Sequence, residues 1–180
     1  MSVWKTASKR RWVIWGILAT AFLLMNLHRL STAVLAEPLA RTFDATAAEL
    51  GSLHAAFFYI YAPLQLVAGV LSDRFGIRRT AAGGVAVMSV GALLFGVADS
   101  YALAFVGRLV IGLGGSVIYI ATLRFCANWF RPDEFATMNG LTLSISGIGG
   151  LLATTPLALV VAASGWNATV QGLAVVGIAF

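Results

Sequence analysis

The chain has 180 residues, of which 59% are hydrophobic and 11% charged, with a formal net charge of +5 and a mean hydropathy of +0.89. Soluble domains carry about 25% charged residues, so this composition excludes an ordinary soluble globular domain. The single cysteine and the two histidines exclude a disulfide framework and any metal site built from several of these residues.

Six apolar segments approach or reach the length of about 20 helical residues that is needed to cross a bilayer. They are residues 12–36, 50–71, 80–98, 101–123, 136–163 and 166–180. Several of the links between them are very short, so neighbouring helices must run antiparallel. The sequence therefore predicts an all-α, polytopic membrane protein, with a cytoplasmic basic tail at residues 1–11.

The basic residues indicate the orientation of the chain. With the N-terminus in the cytoplasm, nine of the twelve basic residues fall on the cytoplasmic side and one, Arg41, on the outer side. This bias predicts a multi-pass protein of the plasma (bacterial inner) membrane, with lipid rather than nucleic acid around it. The N-terminus also resembles a signal peptide, but the polar stretch at 26–32 favours a retained first helix.

The third and fifth segments differ in composition. Ser89 is the only polar residue inside the third segment, so we expect that helix to face lipid. In the fifth segment Ser146, Gly150 and Thr154 recur every four residues, and small residues at this spacing favour close helix packing in a membrane.

The sixth segment stops at Phe180 after fifteen residues and is still apolar there. A helix that ends in hydrocarbon leaves its last carbonyl groups without hydrogen-bond partners. We expect a helix truncated at this point and a missing C-terminal six-helix half as partner. A compact six-helix protein that dimerises is the alternative.

Two arginines lie inside predicted spans. Arg29 and Arg108 are each about 10 Å below the outer boundary, because a helix rises 1.5 Å per residue. Charge at that depth is retained mostly where it faces a polar cavity or a partner, and no acidic residue lies inside a span. We therefore predict that both arginines line a cavity that favours an anionic solute. Snorkelling to the headgroups is the alternative for Arg29.

Helical periodicity adds polar residues to the faces that carry these arginines. Asn26 shares a face of the first helix with Arg29, and Tyr119 shares a face of the fourth with Arg108. On the second helix, Tyr61 and Gln65 lie one turn apart. These four complete the predicted solute-binding set, although tyrosines near helix ends often anchor in the membrane interface instead.

The loop between the second and third segments carries the most specific motif. Its residues at the motif positions are Gly69, Leu71, Asp73, Arg74, Gly76 and Arg78. This pattern resembles the signature loop of the major facilitator superfamily of transporters, although Ile77 stands where that family usually has a basic residue. Arg108 followed by Gly112 and Gly115 also resembles the fourth-helix pattern of the family.

The resemblance implies that the chain is the N-terminal six-helix half of a transporter, built from two inverted three-helix repeats. It also implies that Gly69, Asp73, Arg74, Gly76 and Arg78 form a latch that closes the cytoplasmic side. Topology alone is the alternative role for this basic loop.

From the residues and the resemblance we predict a secondary active transporter of a small polar solute that works by alternating access. An organic anion, an amino acid or a short peptide is the preferred solute. The alternative is a non-transporting membrane scaffold or sensor, or an inactive truncated fragment of a transporter. We expect no enzymatic activity and no cofactor, with proton or sodium coupling possible and symport or uniport both open.

Overall fold

The computed structural model describes residues 2–179, with side chains from Lys9 onward, and every regular element in that range is a helix. In chain order the helices are α1 (Ser2–Phe43), α2 (Ala47–Phe75), α3 (Ile77–Gly96), α4 (Tyr101–Gly115), α5 (Ile118–Trp129), α6 (Pro132–Leu152), α7 (Thr155–Ser164) and α8 (Trp166–Ala179). The side chain of Lys5 and the predicted end of the sixth segment at Phe180 lie outside the described residues. The predicted all-α, multi-pass membrane fold is confirmed.

Five helical stretches are long and apolar enough to cross a membrane. They are Lys9–Phe43, Ala47–Phe75, Ile77–Gly96, Tyr101–Trp129 and Pro132–Leu152. The shorter helices α7 and α8 make a sixth span when they are counted together, and they are bent by 116° relative to each other. The bend falls at Gly165, whose φ of +81° is a conformation that favours glycine.

Two of the predicted segments are interrupted in the structure. The segment predicted at 101–123 is divided into α4 and α5 at Ser116–Val117, directly after Gly112, Gly114 and Gly115, which lower helix propensity. The segment predicted at 136–163 is divided into α6 and α7 shortly before Pro156. Proline has no backbone N–H to continue the helical ladder, so the break at this place follows from the sequence.

Side chains define the outer ends of the helices. Thr46 and Glu49 form a reciprocal capping box at the start of α2, and Ser100 accepts a hydrogen bond from the Leu103 amide at the start of α4. The Tyr101 hydroxyl donates to the Glu49 carbonyl at 3.0 Å, so the beginnings of α2 and α4 are joined.

One face of the third helix is buried in the bundle and the other is exposed, with Val90 at 51%, so the expectation that this helix faces lipid stays a prediction for the exposed face. The helix packs most extensively against α4 and next against α8, and half of its residues are buried. Ser89 is 1% exposed, and its hydroxyl donates a hydrogen bond to the Val85 carbonyl of its own helix. Gly84 and Gly91 let the backbones of α3 and α4 approach closely, so the apolar composition serves helix packing.

Two groups of buried apolar residues form the core. The larger group contains residues of α1, α2, α3, α4, α5 and α8. At its centre are Met25, Phe57, Phe95 and Ile111, all at most 1% exposed. The smaller one lies near the beginning of α1, where Trp15 packs with residues of α5 and α6. The Trp15 indole N–H donates to the Thr142 hydroxyl at 2.9 Å, so this large ring satisfies its polar atom inside the core.

The close contact between α3 and α4 predicts a difference between two adjacent glycines. A Cβ at Gly84 would lie 2.6 Å from Cγ2 of Val117 and 2.8 Å from the Gly114 carbonyl oxygen, whereas one at Gly83 would meet nothing within 4 Å. We expect Gly84→Ala to destabilise the fold by about 1–3 kcal/mol, because overpacking forces the helices apart. Gly83→Ala is the matched control and should be neutral or slightly stabilising. The thermal midpoint of the purified protein in detergent measures both, and equal midpoints would contradict this packing.

Candidate functional site

Arg108 of α4 is completely buried. One terminal guanidinium nitrogen donates to the His28 carbonyl at 2.8 Å and the other to the Arg29 carbonyl at 3.4 Å. In this structure Arg108 is therefore enclosed and does not line an open cavity, and its contact with a solute stays a prediction. Its guanidinium spans the contact between α4 and α1 instead, and it holds the α1 backbone at Arg29.

The surroundings of Arg108 explain how a charge is retained in the core. The guanidinium carbon lies 5.6 Å from the centroid of the Phe57 ring and 5.9 Å from that of Phe95. Aromatic faces and carbonyl oxygens both carry partial negative charge, so they offset part of the cost of burying the cation. Among the side chains described from residue 9 to 179, none forms an ion pair with Arg108.

Arg29 is partly exposed, although its Nε atom is buried without a hydrogen-bond partner in the structure. The charges of Arg108 and Arg29 both act on His54 of α2, and that of Arg29 also acts on Tyr61. His54 is also partly exposed, whereas Tyr61 is 9% exposed and stacks on Phe57 with 5.0 Å between the ring centroids. Gln65 follows one turn beyond Tyr61 and is partly exposed.

Asn26 lies one turn before Arg29, and it connects two helices. Its side-chain nitrogen donates to the Ser146 carbonyl of α6 at 2.7 Å, and the residue is 7% exposed. The Oδ1 atom is buried without a partner, and exchanging the amide atoms would place two oxygens against each other. Asn26 therefore ties α1 to α6, with one acceptor atom left unused.

Tyr119 of α5 is partly exposed and is fixed by two contacts. Its ring stacks on Phe22 of α1 with 4.8 Å between centroids, and its hydroxyl donates to Oδ1 of Asn139 at 3.2 Å. Asn139 of α6 was missing from the predicted set. The signal that could have found it is an asparagine in the interior of an otherwise apolar span, because such a side chain needs a partner.

These side chains form a polar strip across one face of the bundle. We use that name for Arg29, His54, Tyr61, Gln65, Tyr119 and Asn139. Arg29 and Tyr119 both lie near enough to Tyr61 for their charges to act on it. The structure thus brings together four of the predicted residues (Arg29, Tyr61, Gln65 and Tyr119) and adds His54 and Asn139, whereas Arg108 is enclosed in the core beside them.

One large cavity of the bundle does not coincide with the polar strip. It has a volume of about 1130 Å³ and lies between α1, α3, α5 and α8. Its walls are apolar apart from Arg10 and Arg78, and no residue of the strip lines it. A polar solute would lose its hydration there without gaining hydrogen bonds, so we do not assign the solute site to this cavity.

The signature loop is built around an ion pair with α5. Asp73 at the end of α2 pairs with Arg124, a partner that the sequence did not reveal. A Cβ on Gly69 would lie 3.4 Å from the Arg124 guanidinium, so the glycine gives this side chain room. Gly76 is the only residue between α2 and α3 and has a φ of +81°. Arg74 lies over the Phe75 ring, and Arg78 is exposed.

A second ion pair at the same end of the bundle links α1 to α6. Arg11 of α1 binds both carboxylate oxygens of Glu134 of α6 at 3.1 and 3.3 Å. Glu134 also accepts from the Arg131 amide at 2.9 Å, and the Arg11 guanidinium lies 4.7 Å from the Phe130 ring. Bidentate geometry makes this contact more specific than a single surface ion pair.

Comparison with known proteins places the chain among transporters. A sequence model described as the Major Facilitator Superfamily matches residues 14–180. The chain is 27% identical over 163 residues to a probable sulfoacetate transporter of Cupriavidus necator, across 91% of this chain and 38% of that protein. It is 25% identical over 167 residues to the chloroplastic ascorbate transporter of Arabidopsis thaliana, across 92% of this chain and 31% of that protein.

A third relative is the hexuronate transporter of Bacillus subtilis, which is 27% identical over 137 residues. That alignment covers 74% of this chain and 32% of the relative. The chain therefore spans less than half the length of each of these relatives.

The different surroundings of the two span arginines can be tested by thiol labelling. We expect the Arg29→Cys variant to react with a membrane-impermeant methanethiosulfonate reagent and the Arg108→Cys variant to stay unreacted, because Arg29 is partly exposed whereas Arg108 is completely buried. The native Cys126 is buried, so the unmodified protein gives the background. Labelling is measured by intact mass, and equal labelling at both positions would refute the assignment.

Proposed function

Because the chain belongs to the major facilitator superfamily, we propose that it is the N-terminal half of a secondary active transporter that moves a small organic anion by alternating access. The observation that carries the proposal is the partly exposed Arg29 side chain on the polar strip, which forms no ion pair among the described residues. Guanidinium binds carboxylate, sulfonate or phosphate oxygens through paired hydrogen bonds. The names of the relatives, which refer to sulfoacetate, ascorbate and hexuronate, support an anionic solute.

An anion is favoured over an amino acid or a short peptide. A zwitterion would need an acidic side chain beside Arg29 to receive its ammonium group. Among the described side chains, Glu37 pairs with Arg41, Asp73 with Arg124, Asp133 with Arg131 and Glu134 with Arg11, and no acidic side chain pairs with Arg29. The strip itself contains hydrogen-bonding groups and one permanent positive charge.

The proposed carrier lies in the plasma membrane with its N-terminus in the cytoplasm, as the distribution of basic residues favours. The signature loop then lies on the cytoplasmic side. In this proposal Asp73 and Arg124 form the latch together with Gly69, Arg74, Gly76 and Arg78, and the remaining half of the transporter completes the path.

The first prediction concerns Arg29. In proteoliposomes with the complete transporter, we expect Arg29→Gln to raise the KM for a transported organic anion at least about tenfold, because a charge-assisted hydrogen bond is lost. Uptake of a panel of labelled organic anions is the measurement. Arg41→Gln is the matched control, since Arg41 is exposed and pairs only with Glu37. Unchanged uptake by Arg29→Gln would remove the proposed anion contact.

The second prediction concerns the latch. We expect Asp73→Asn to lower the maximal transport rate severalfold while the KM changes little, because the ion pair would act on a conformational step. Asp133→Asn is the control, since Asp133 forms a similarly exposed ion pair with Arg131. The thermal midpoint should change little in both variants, because exposed ion pairs contribute about 0–1 kcal/mol. A proportional loss of rate and affinity would argue against a latch.

A further inference from the structure

The cavity between α1, α3, α5 and α8 has apolar walls and a charged end. Arg10 near the beginning of α1 and Arg78 at the beginning of α3 both line it, as does Trp129, the last residue of α5. These three helix ends lie on the same side of the bundle. Tryptophan is enriched at the boundary between lipid headgroups and acyl chains. The cavity therefore extends from that boundary into the hydrocarbon region.

The depth of the cavity matches one leaflet of a bilayer. Along α1 its lining runs from Arg10 to Ala21, which corresponds to about 16 Å of helix. Along α3 it runs from Ile77 to Val90. Half of a hydrocarbon core of about 30 Å is about 15 Å. A cavity of this depth and polarity accommodates the acyl chains of one leaflet.

The two arginines at the charged end are available to an anion. Four arginines form ion pairs within residues 9–179, and neither Arg10 nor Arg78 is among them. Both residues are exposed, and they come from two different helices. Basic pockets between membrane helices on the cytoplasmic side bind the headgroups of anionic lipids. Lys9 and Arg79, the sequence neighbours of these arginines, do not line the cavity.

We propose that this cavity is a binding site for an anionic phospholipid, whose phosphate is bound by Arg10 and Arg78 and whose acyl chains lie between α1 and α3. In the proposed orientation the lipid comes from the cytoplasmic leaflet. The two helices contact each other little, so the lipid bridges them. It stabilises the bundle because it binds the folded protein and not the unfolded chain.

Native mass spectrometry of the complete, delipidated transporter tests the headgroup contact. With equal amounts of phosphatidylglycerol and phosphatidylcholine that carry the same acyl chains, we expect preferential retention of phosphatidylglycerol. Arg10→Gln and Arg78→Gln should each lower that retention about fivefold, which is the contribution of one arginine near an anionic lipid surface. Lys9→Gln and Arg79→Gln are the matched controls. Equal losses in all four variants would show a general attraction to basic helix ends and would overturn the site.

A bulky substitution tests the apolar part of the site. Ala86 lines the cavity and is exposed, so we expect Ala86→Phe to lower the retention of phosphatidylglycerol severalfold and to leave the thermal midpoint in lipid-free detergent unchanged. Ala102→Phe is the control, because Ala102 is exposed and lies outside the cavity. If another segment of the complete transporter fills the cavity, Ala86→Phe will lower that midpoint and phosphatidylglycerol will not be preferred. Either result would overturn the proposal, and the proposed function, which is tested by anion uptake, would stand.

Discussion

The contact between Arg108 and the backbone of α1 determines the arrangement of the bundle. A guanidinium in an apolar core must keep its hydrogen bonds, because a buried unpaired charge is far more costly than a lost surface contact. Here the carbonyls of His28 and Arg29 accept from the two terminal nitrogens, between two phenylalanine rings, while Nε is buried without a partner. The height of α1 against α4 is thereby fixed, and with it the place where the Arg29 side chain leaves the helix. The position of the partly exposed Arg29 side chain therefore depends on the contacts of the buried Arg108.

Glycines make the rest of this arrangement possible. Gly107 lies against the Phe95 backbone and Gly112 against the Phe57 carbonyl, so α4 approaches α3 and α2 without intervening side chains. In a membrane there is no water to drive helices together, and association relies on such close packing. Gly149 plays the same part between α6 and α1, beside the Asn26 hydrogen bond to Ser146. The polar strip is therefore held by backbones in direct contact.

Hydropathy was sufficient to predict the membrane fold, and the spacing of the signature loop was sufficient to predict the family. Hydropathy gives the depth of a residue in the membrane but not its direction, which is why Arg29 and Arg108 received the same role. Hydropathy likewise does not distinguish the buried face of α3 from its exposed face, because both faces are apolar. Asn139 and Arg124 were missed because each is defined by a partner on another helix, Tyr119 and Asp73.

The single-residue connection at Gly76 has a mechanical consequence. Because Gly76 alone separates Phe75 from Ile77, the adjoining ends of α2 and α3 cannot move independently. A tilt of α2 would therefore displace the beginning of α3. The third helix in turn packs against α4 and α8. A displacement of α2 would therefore be transmitted through Gly76 to α3 and from there to these two helices.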